Sequence, residues 1–278
     1  MGIMSTHPKY ARLSSRSLIS VSGEDWRSFL QGLLTQDVET LTVGEVRFAA
    51  LLTPQGRLLY DLFVVGCEDG CLIDCAAEHR AGLMQKLKMY RLRAKVSLAE
   101  DERPVMAFWG GDPETPGWAA DGRAPALGLR GYGAPIPDGA EPADEATYDA
   151  HVFAVGAPGP ADWGFDKTYP IEANFDLLGG IDFKKGCFVG QETTSRMKRR
   201  GVIKNRMAPI LFHGPPPAPG ARVACGGLDA GAIASGREGG AMAVLRLERL
   251  AEGPMTLDDG RPAHVAWPEW MGEAAPRS

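Results

Sequence analysis

Polar and apolar residues alternate through "SLISVS" (17–22) and then change to helical spacing in "GEDWRSFLQGLL". There Trp26, Phe29, Leu30 and Leu33 share one face, and Ser22 or Asp25 caps the start. A β meander is predicted over "EVRFAALLTPQGRLLYDLFVVGCEDGCLIDCAA". β-branched, aromatic and leucine residues fill its strands, and "TPQG" and "CEDG" supply its turns. "AEHRAGLMQKLKMYRL" has the period of an amphipathic helix and "AKVSLAE" that of the next strand. Residues 110–147, rich in Gly, Pro, Ala and Asp, predict a weakly structured connection or an elaborated loop, and "YDAHVFAVG" predicts a strand.

"GQETTSRMKR" places an acid in its first turn, bases in its last and Gly201 beyond, which predicts a helix. "GPPPAPG" at 214–220 reads as a boundary too stiff for helix or sheet. After it, "ARVACGG", "AGAIASGREGG" and "AMAVLRLERL" predict the short strands of a small β barrel or sandwich.

At 278 residues with 44 % hydrophobic and 23 % charged content, about two domains are expected. The net charge of −5 argues against a surface built wholly for nucleic acid. That charge is uneven, since residues 184–206 hold eight Lys/Arg and only Glu192 as an acid. Such an island suits an anionic ligand or partner, or is a solvated helix end. Five cysteines, an odd number at low density, point to a reducing compartment. The N-terminus lacks the apolar core of a secretory signal and no run has membrane length, so a cytoplasmic protein without membrane contact is expected.

Hydrolase, NTPase and dinucleotide motifs are absent, and the five histidines are scattered. "GLRGYG" at 128–133 follows no convincing strand. Cys67, Cys71 and Cys75 form C-x3-C-x3-C, unlike the tight pairs of zinc and ferredoxin sites, and read as apolar strand residues. Cys187 differs. It lies about one turn before a predicted helix, behind Lys184 and Lys185, where dipole and ammonium charge favour thiolate. A buried thiol in a tight turn is the alternative. Asp61, Glu172 and Asn174 are candidates to accept the paired N–H groups of a pterin-like ring edge. Arg91, Arg93 and Arg196 are candidates for a carboxylate tail, and each is equally readable as a surface ion pair.

"GGIDFKKGCFVGQETTSRMKRRG" resembles the signature K-G-C-F/Y-x-G-Q-E-x-x-x-R of the YgfZ-type folate-binding proteins, relatives of the glycine-cleavage T-protein. "VSGEDWRSFLQGLLTQDVETL", "LLTPQGRLLYDLFVV" and "KMYRLRAKV" extend the likeness, and "GRLLYDLF" is similar to the Iba-type iron–sulfur branch. The resemblance implies an α+β, three-lobed, T-protein (aminomethyltransferase)-like folate-binding fold, with residues 1–206 forming the folate-binding region and 207–278 a C-terminal β barrel. It implies that Cys187 is the essential thiol at the rim of the folate cavity, with Lys185, Gly186, Gly190, Gln191, Glu192 and Arg196 as signature neighbours. Tyr90, Arg93, Glu172 and Asn174 join Asp61, Lys185, Gly186, Gln191 and Arg196 as implied folate contacts, and Asp61 falls where the T-protein has its catalytic aspartate.

The implied cofactors are tetrahydrofolate or a derivative and a transient iron–sulfur cluster on Cys187. The implied partners are iron–sulfur assembly proteins or 4Fe–4S client enzymes, including those that thiolate tRNA. The T-protein's comparable stretch reads more like K-G-D-F-I-G, so the cysteine favours iron–sulfur work without classical turnover. Folate-dependent aminomethyl transfer or demethylation through Asp61 is the alternative. A tRNA-binding regulator using residues 196–206 is a second, weakened by the lack of aromatics near the basic residues.

Overall fold

The computed structural model describes residues 7–199, 201 and 203–275. From the N-terminus run β1 (Lys9–Arg12), β2 (Arg16–Ser22), α1 (Trp26–Gln31), β3 (Val46–Leu52), β4 (Leu58–Cys67) and β5 (Gly70–Ala76). Then come α2 (Arg80–Arg91), β6 (Ser97–Asp101), β7 (Val105–Trp109), β8 (Trp118–Ala120), β9 (Leu129–Tyr132) and β10 (Glu141–Pro142). Helices α3 (Glu145–Val155), α4 (Pro160–Trp163) and α5 (Gln191–Arg199) precede β11 (Asn205–Phe212), β12 (Arg222–Cys225) and β13 (Leu228–Arg237). β14 (Gly240–Arg246), β15 (Met255–Leu257) and β16 (Pro262–Val265) complete the strands.

The strands form two five-stranded sheets, β3-β4-β5-β2-β6 and β10-β1-β7-β9-β8, and a closed barrel in the order β11-β14-β13-β12-β15-β16. This is the α+β arrangement with a terminal barrel that the resemblance implies.

The two-residue period of β3–β5 separates two cores. Phe48, Leu58 and Phe63 pack toward Val105 and Ala107 of the second sheet. Leu51, Leu62 and Ile73 face Leu30 of α1 and Leu87 of α2. β4 is therefore buried on both sides, which is why it reads as a continuous apolar run. Asp61 shares its face with Phe63, and Asp74 is paired in register with Phe63. Two carboxylates thus enter an apolar sheet surface, where each requires a partner. Cys71 and Cys75 point into the opposite core, where burial pushes both thiols up, Cys75 to about 11.

Five local expectations change. "YDAHVFAVG" belongs to helix α3: Asp144 accepts a hydrogen bond from the Thr147 N–H at 2.8 Å, and Gly156 ends the helix at φ +78°. Residues 110–147 are not a weak connection, because they hold three strands of the second sheet and the buried Asp121 and Arg130. "GLRGYG" supplies one of them, β9. The 214–220 run joins the barrel's β11 and β12, so it is a loop within that unit. At α1, Asp25 makes no side-chain cap and its Oδ2 instead accepts from the Lys95 N–H at 2.8 Å.

Candidate functional site

Where the two sheets, α3 and the barrel meet lies a cleft of about 640 Å³. β2 contributes Arg16, β4 Asp61 and Phe63, α3 Tyr148 and Asp149, and the barrel Ser235 and Arg237. Its floor is a chain of alternating charges. Arg16 Nη1 donates to Asp61 Oδ2 at 2.7 Å and its Nε to Asp74 Oδ1 at 2.6 Å. Arg130 Nη1 reaches Asp74 Oδ2 at 2.6 Å and its Nε Asp121 Oδ2 at 2.9 Å. Arg123 holds Asp121 with both its Nε, at 2.6 Å, and its Nη2, at 3.0 Å.

All six side chains are nearly inaccessible. Burial alone would lower the Arg16 guanidinium, but Asp61 and Asp74 outweigh it and raise it. Burial would likewise raise Asp121, yet Arg123 and Arg130 hold it well below the usual carboxylate range. The Phe63 ring lies beneath three guanidiniums, with Arg130 at 3.6 Å, Arg123 at 5.1 Å and Arg16 at 5.4 Å from its centroid. Asp61 Oδ1 accepts no hydrogen bond among the described residues, which leaves an acceptor on the cleft wall.

The signature loop sits elsewhere on the same sheet. Cys187 is exposed and does not line this cleft. The expected position at its rim is therefore corrected, because residues 185–190 are anchored to α1 and to the 53–56 turn. Lys185 Nζ donates to the carbonyls of Gln31, Leu34 and Gln36 at 2.8, 2.6 and 2.8 Å, and burial lowers it to about 8. Its ammonium closes the chain leaving α1, where carbonyls lack helical partners.

The Val189 N–H donates to Gly32 O at 3.2 Å. Gly190, at φ +80°, packs so closely that a Cβ there would lie 2.6 Å from Thr53 O and 3.0 Å from Gly56 Cα. Phe188 is buried, while the Gln191 side chain accepts from the Phe188 N–H at 3.4 Å and starts α5. Gly186 is exposed with nothing against it. The loop thus holds one thiol out from a fixed base.

The remaining candidates do not reach the central cleft. Asn174 is fully buried, with φ +61°; its Nδ2 donates to Met207 O at 2.7 Å and its Oδ1 accepts from Arg206 Nη1 at 3.0 Å, so the amide ties this turn to the barrel. Glu172 accepts from the Tyr169 N–H at 3.2 Å and Asn205 Nδ2 at 3.1 Å, beside a smaller cleft that Arg196 also lines. Tyr90 packs partly against the α1–α2 core, Arg93 is exposed, and Arg91 Nη1 donates to Val96 O at 3.2 Å. Of the aromatics beside α5, Phe188 is buried and Phe183 lies under Lys198 Nζ, 5.2 Å from its ring centroid.

Arg16, Asp74, Asp121, Arg123 and Arg130 were not singled out from the sequence. A signal existed in Asp74 and Arg130, charges inside short apolar strand patterns, which fold only when paired.

Residues 204–273 match the family described as CAF17, C-terminal beta-barrel domain. The crystal structure of glycine cleavage system aminomethyltransferase T from Bartonella henselae shares the fold, with a TM-score of 0.73 over 93 % of this chain and 84 % of that one at 18 % identity. Among curated proteins, the mitochondrial iron–sulfur cluster assembly factor IBA57 homologue of Coccidioides immitis is 35 % identical over 246 residues, covering 73 % of this chain and 57 % of its own. That of Neurospora crassa is 33 % identical over 234 residues, with 73 % and 53 % covered.

The chain thus spans little more than half the length of these fungal relatives. Their names, like the human one, are of mitochondrial proteins, which overturns the cytoplasmic expectation and points to the mitochondrion. Among the described residues no helix is long and apolar enough to cross a membrane. Human mitochondrial iron–sulfur cluster assembly factor IBA57 is 30 % identical over 302 residues, covering 93 % of this chain and 84 % of its own. With its T-protein-like fold, the chain belongs to the IBA57 family of iron–sulfur cluster assembly factors, the Iba-type branch of the folate-binding T-protein-like proteins.

Proposed function

We propose that the chain acts in iron–sulfur cluster assembly, presenting Cys187 to a cluster or its carrier while the central cleft holds a reduced folate. One observation carries the first half: Cys187 is exposed on a loop fixed at its base, whereas Cys71, Cys75 and Cys225 are buried and Cys67 is half-buried. A cysteine so placed ligates iron or exchanges sulfur, and the relatives' names as assembly factors support that use. The basic residues of α5, beginning four residues later, suit an acidic carrier protein.

The cleft residues fit a folate. Its volume lies within the range of small-molecule sites, Asp61 Oδ1 is an acceptor for a ring N–H, and Phe63 with its guanidiniums supplies a flat, polarisable floor. Asp61 would hold the pterin edge, with Arg16 fixing the carboxylate's orientation. A bound reduced folate would supply one-carbon chemistry.

The test replaces Cys187 with serine in cells lacking the native copy and follows a 4Fe–4S enzyme. Activity should fall toward that of the deletion, and full rescue removes the thiol from the proposal. The position of Asp61 on the cleft wall favours a second reading, folate-dependent aminomethyl transfer. Turnover of tetrahydrofolate with an aminomethylated lipoyl carrier, unaffected by Cys187→Ser, would put that reading first.

A further inference from the structure

Among the described residues, Arg123 alone lines both the central cleft and a second cleft beside it. The second cleft, about 900 Å³, lies across α3 from the first. Tyr148 and Val152 of α3 face the central cleft, and His151 and Val155, a few residues on, face the second. Arg123 stands between the two as a single side chain. It is held by Asp121, which also keeps Arg130 at 2.9 Å, so turning Arg123 away leaves Asp121 paired.

The two clefts differ in charge. Glu78, Glu145, Asp149 and Asp162 line the central one, with Arg237 the one lining cation outside the floor chain. The second has one lining carboxylate, Asp121, already paired, and Lys9 lines it with no salt-bridge partner among the described residues. Trp109 and His151, stacked at 5.7 Å, form an apolar wall. An oligoanion is repelled at the first cleft and attracted at the second.

We propose that the clefts are two ends of one site, that Arg123 is the partition between them, and that the second receives the oligocarboxylate tail of the ligand whose ring Asp61 holds. On the folate reading, on which this inference rests, that tail is a chain of glutamates. Arg123 exchanges its contact with Asp121 for a tail carboxylate, and Lys9 takes a later one.

Calorimetric titration of the full chain with tetrahydrofolate bearing one or five glutamates tests this. The longer form should bind about tenfold tighter, a 1.4 kcal/mol gain. Lys9→Glu should bring the ratio of the two affinities close to one, and Arg237→Glu should leave it unchanged. Equal affinities in the unaltered protein overturn the proposal. So does a gain that survives Lys9→Glu and disappears in Arg237→Glu, which sends the tail out through the central cleft. Binding of neither form by folded protein removes the folate reading itself. Binding of the short form without a tail gain leaves that reading standing and sinks only this one.

Discussion

Arg16→Leu tests whether the alternating charges of the cleft floor are structural. The substitution removes bonds of 2.7 Å to Asp61, 2.6 Å to the Asp74 carboxylate and 3.0 Å to the Asp74 carbonyl. Asp74 keeps Arg130 at 2.6 Å, but Asp61 keeps no partner among the described residues. Removing one member of a buried pair costs about 3–5 kcal/mol, because the other charge stays behind uncompensated. Asp61 faces the cleft and recovers some hydration, so the lower end applies, about 3 kcal/mol or roughly 6–10 °C in Tm for a chain of this size.

Adding Asp61→Asn removes the stranded charge, and the double variant should regain at least about half of the loss. Urea unfolding of wild type, both single variants and the double variant at several pH values gives the cycle. A loss under about 1 kcal/mol for Arg16→Leu, or a double variant no more stable than it, refutes the view that Arg16 neutralises Asp61.

Gly190→Ala should lower stability by about 2–3 kcal/mol, since alanine is disfavoured at positive φ and its Cβ meets the 53–56 backbone. The displaced loop should also make Cys187 react faster with iodoacetamide, and an unchanged rate would separate the glycine from the thiol. Asp162, raised by burial against its bonds to Ser235 and the Gly159 N–H, costs stability as pH rises from its unfolded through its folded pKa. Asp162→Asn should therefore gain on wild type across that window, read as the difference in Tm between about pH 4 and pH 7.

The signature stretch was legible because its spacing carries it: the acid-first, base-last pattern of Gln191–Arg199 and the glycine beyond do form a helix with Cys187 ahead of it. The meander was legible for the same reason, since periodicity reports burial directly. α3 was not. Its apolar and aromatic residues imitate a strand, and the deciding feature is a single cap bond from Asp144. Lys185 was named as a ligand contact, yet its ammonium is spent on three carbonyls between Gln31 and Gln36. Sequence distance of about 150 residues hides such a bond entirely. The charge chain was hidden likewise, because each pair is ordinary and only the fold puts six side chains from β2, β4, β5, β9 and the 121–123 turn in a row.

Cys187 and Asp61 do not meet, but one hairpin serves both. The 53–56 turn receives Gly190 backbone against backbone, and the strand leaving it reaches Asp61 three residues after Leu58. Leu58 is itself tied on both sides, its N–H donating to Thr168 O and its carbonyl accepting from the Asp166 N–H, both at 2.9 Å. With glycine at both surfaces no flexible side chain absorbs a shift, so close packing passes a displacement of β4 to the loop that carries the thiol. On the proposed function, a ligand at Asp61 would act on Cys187 through strand position, since the two residues do not touch.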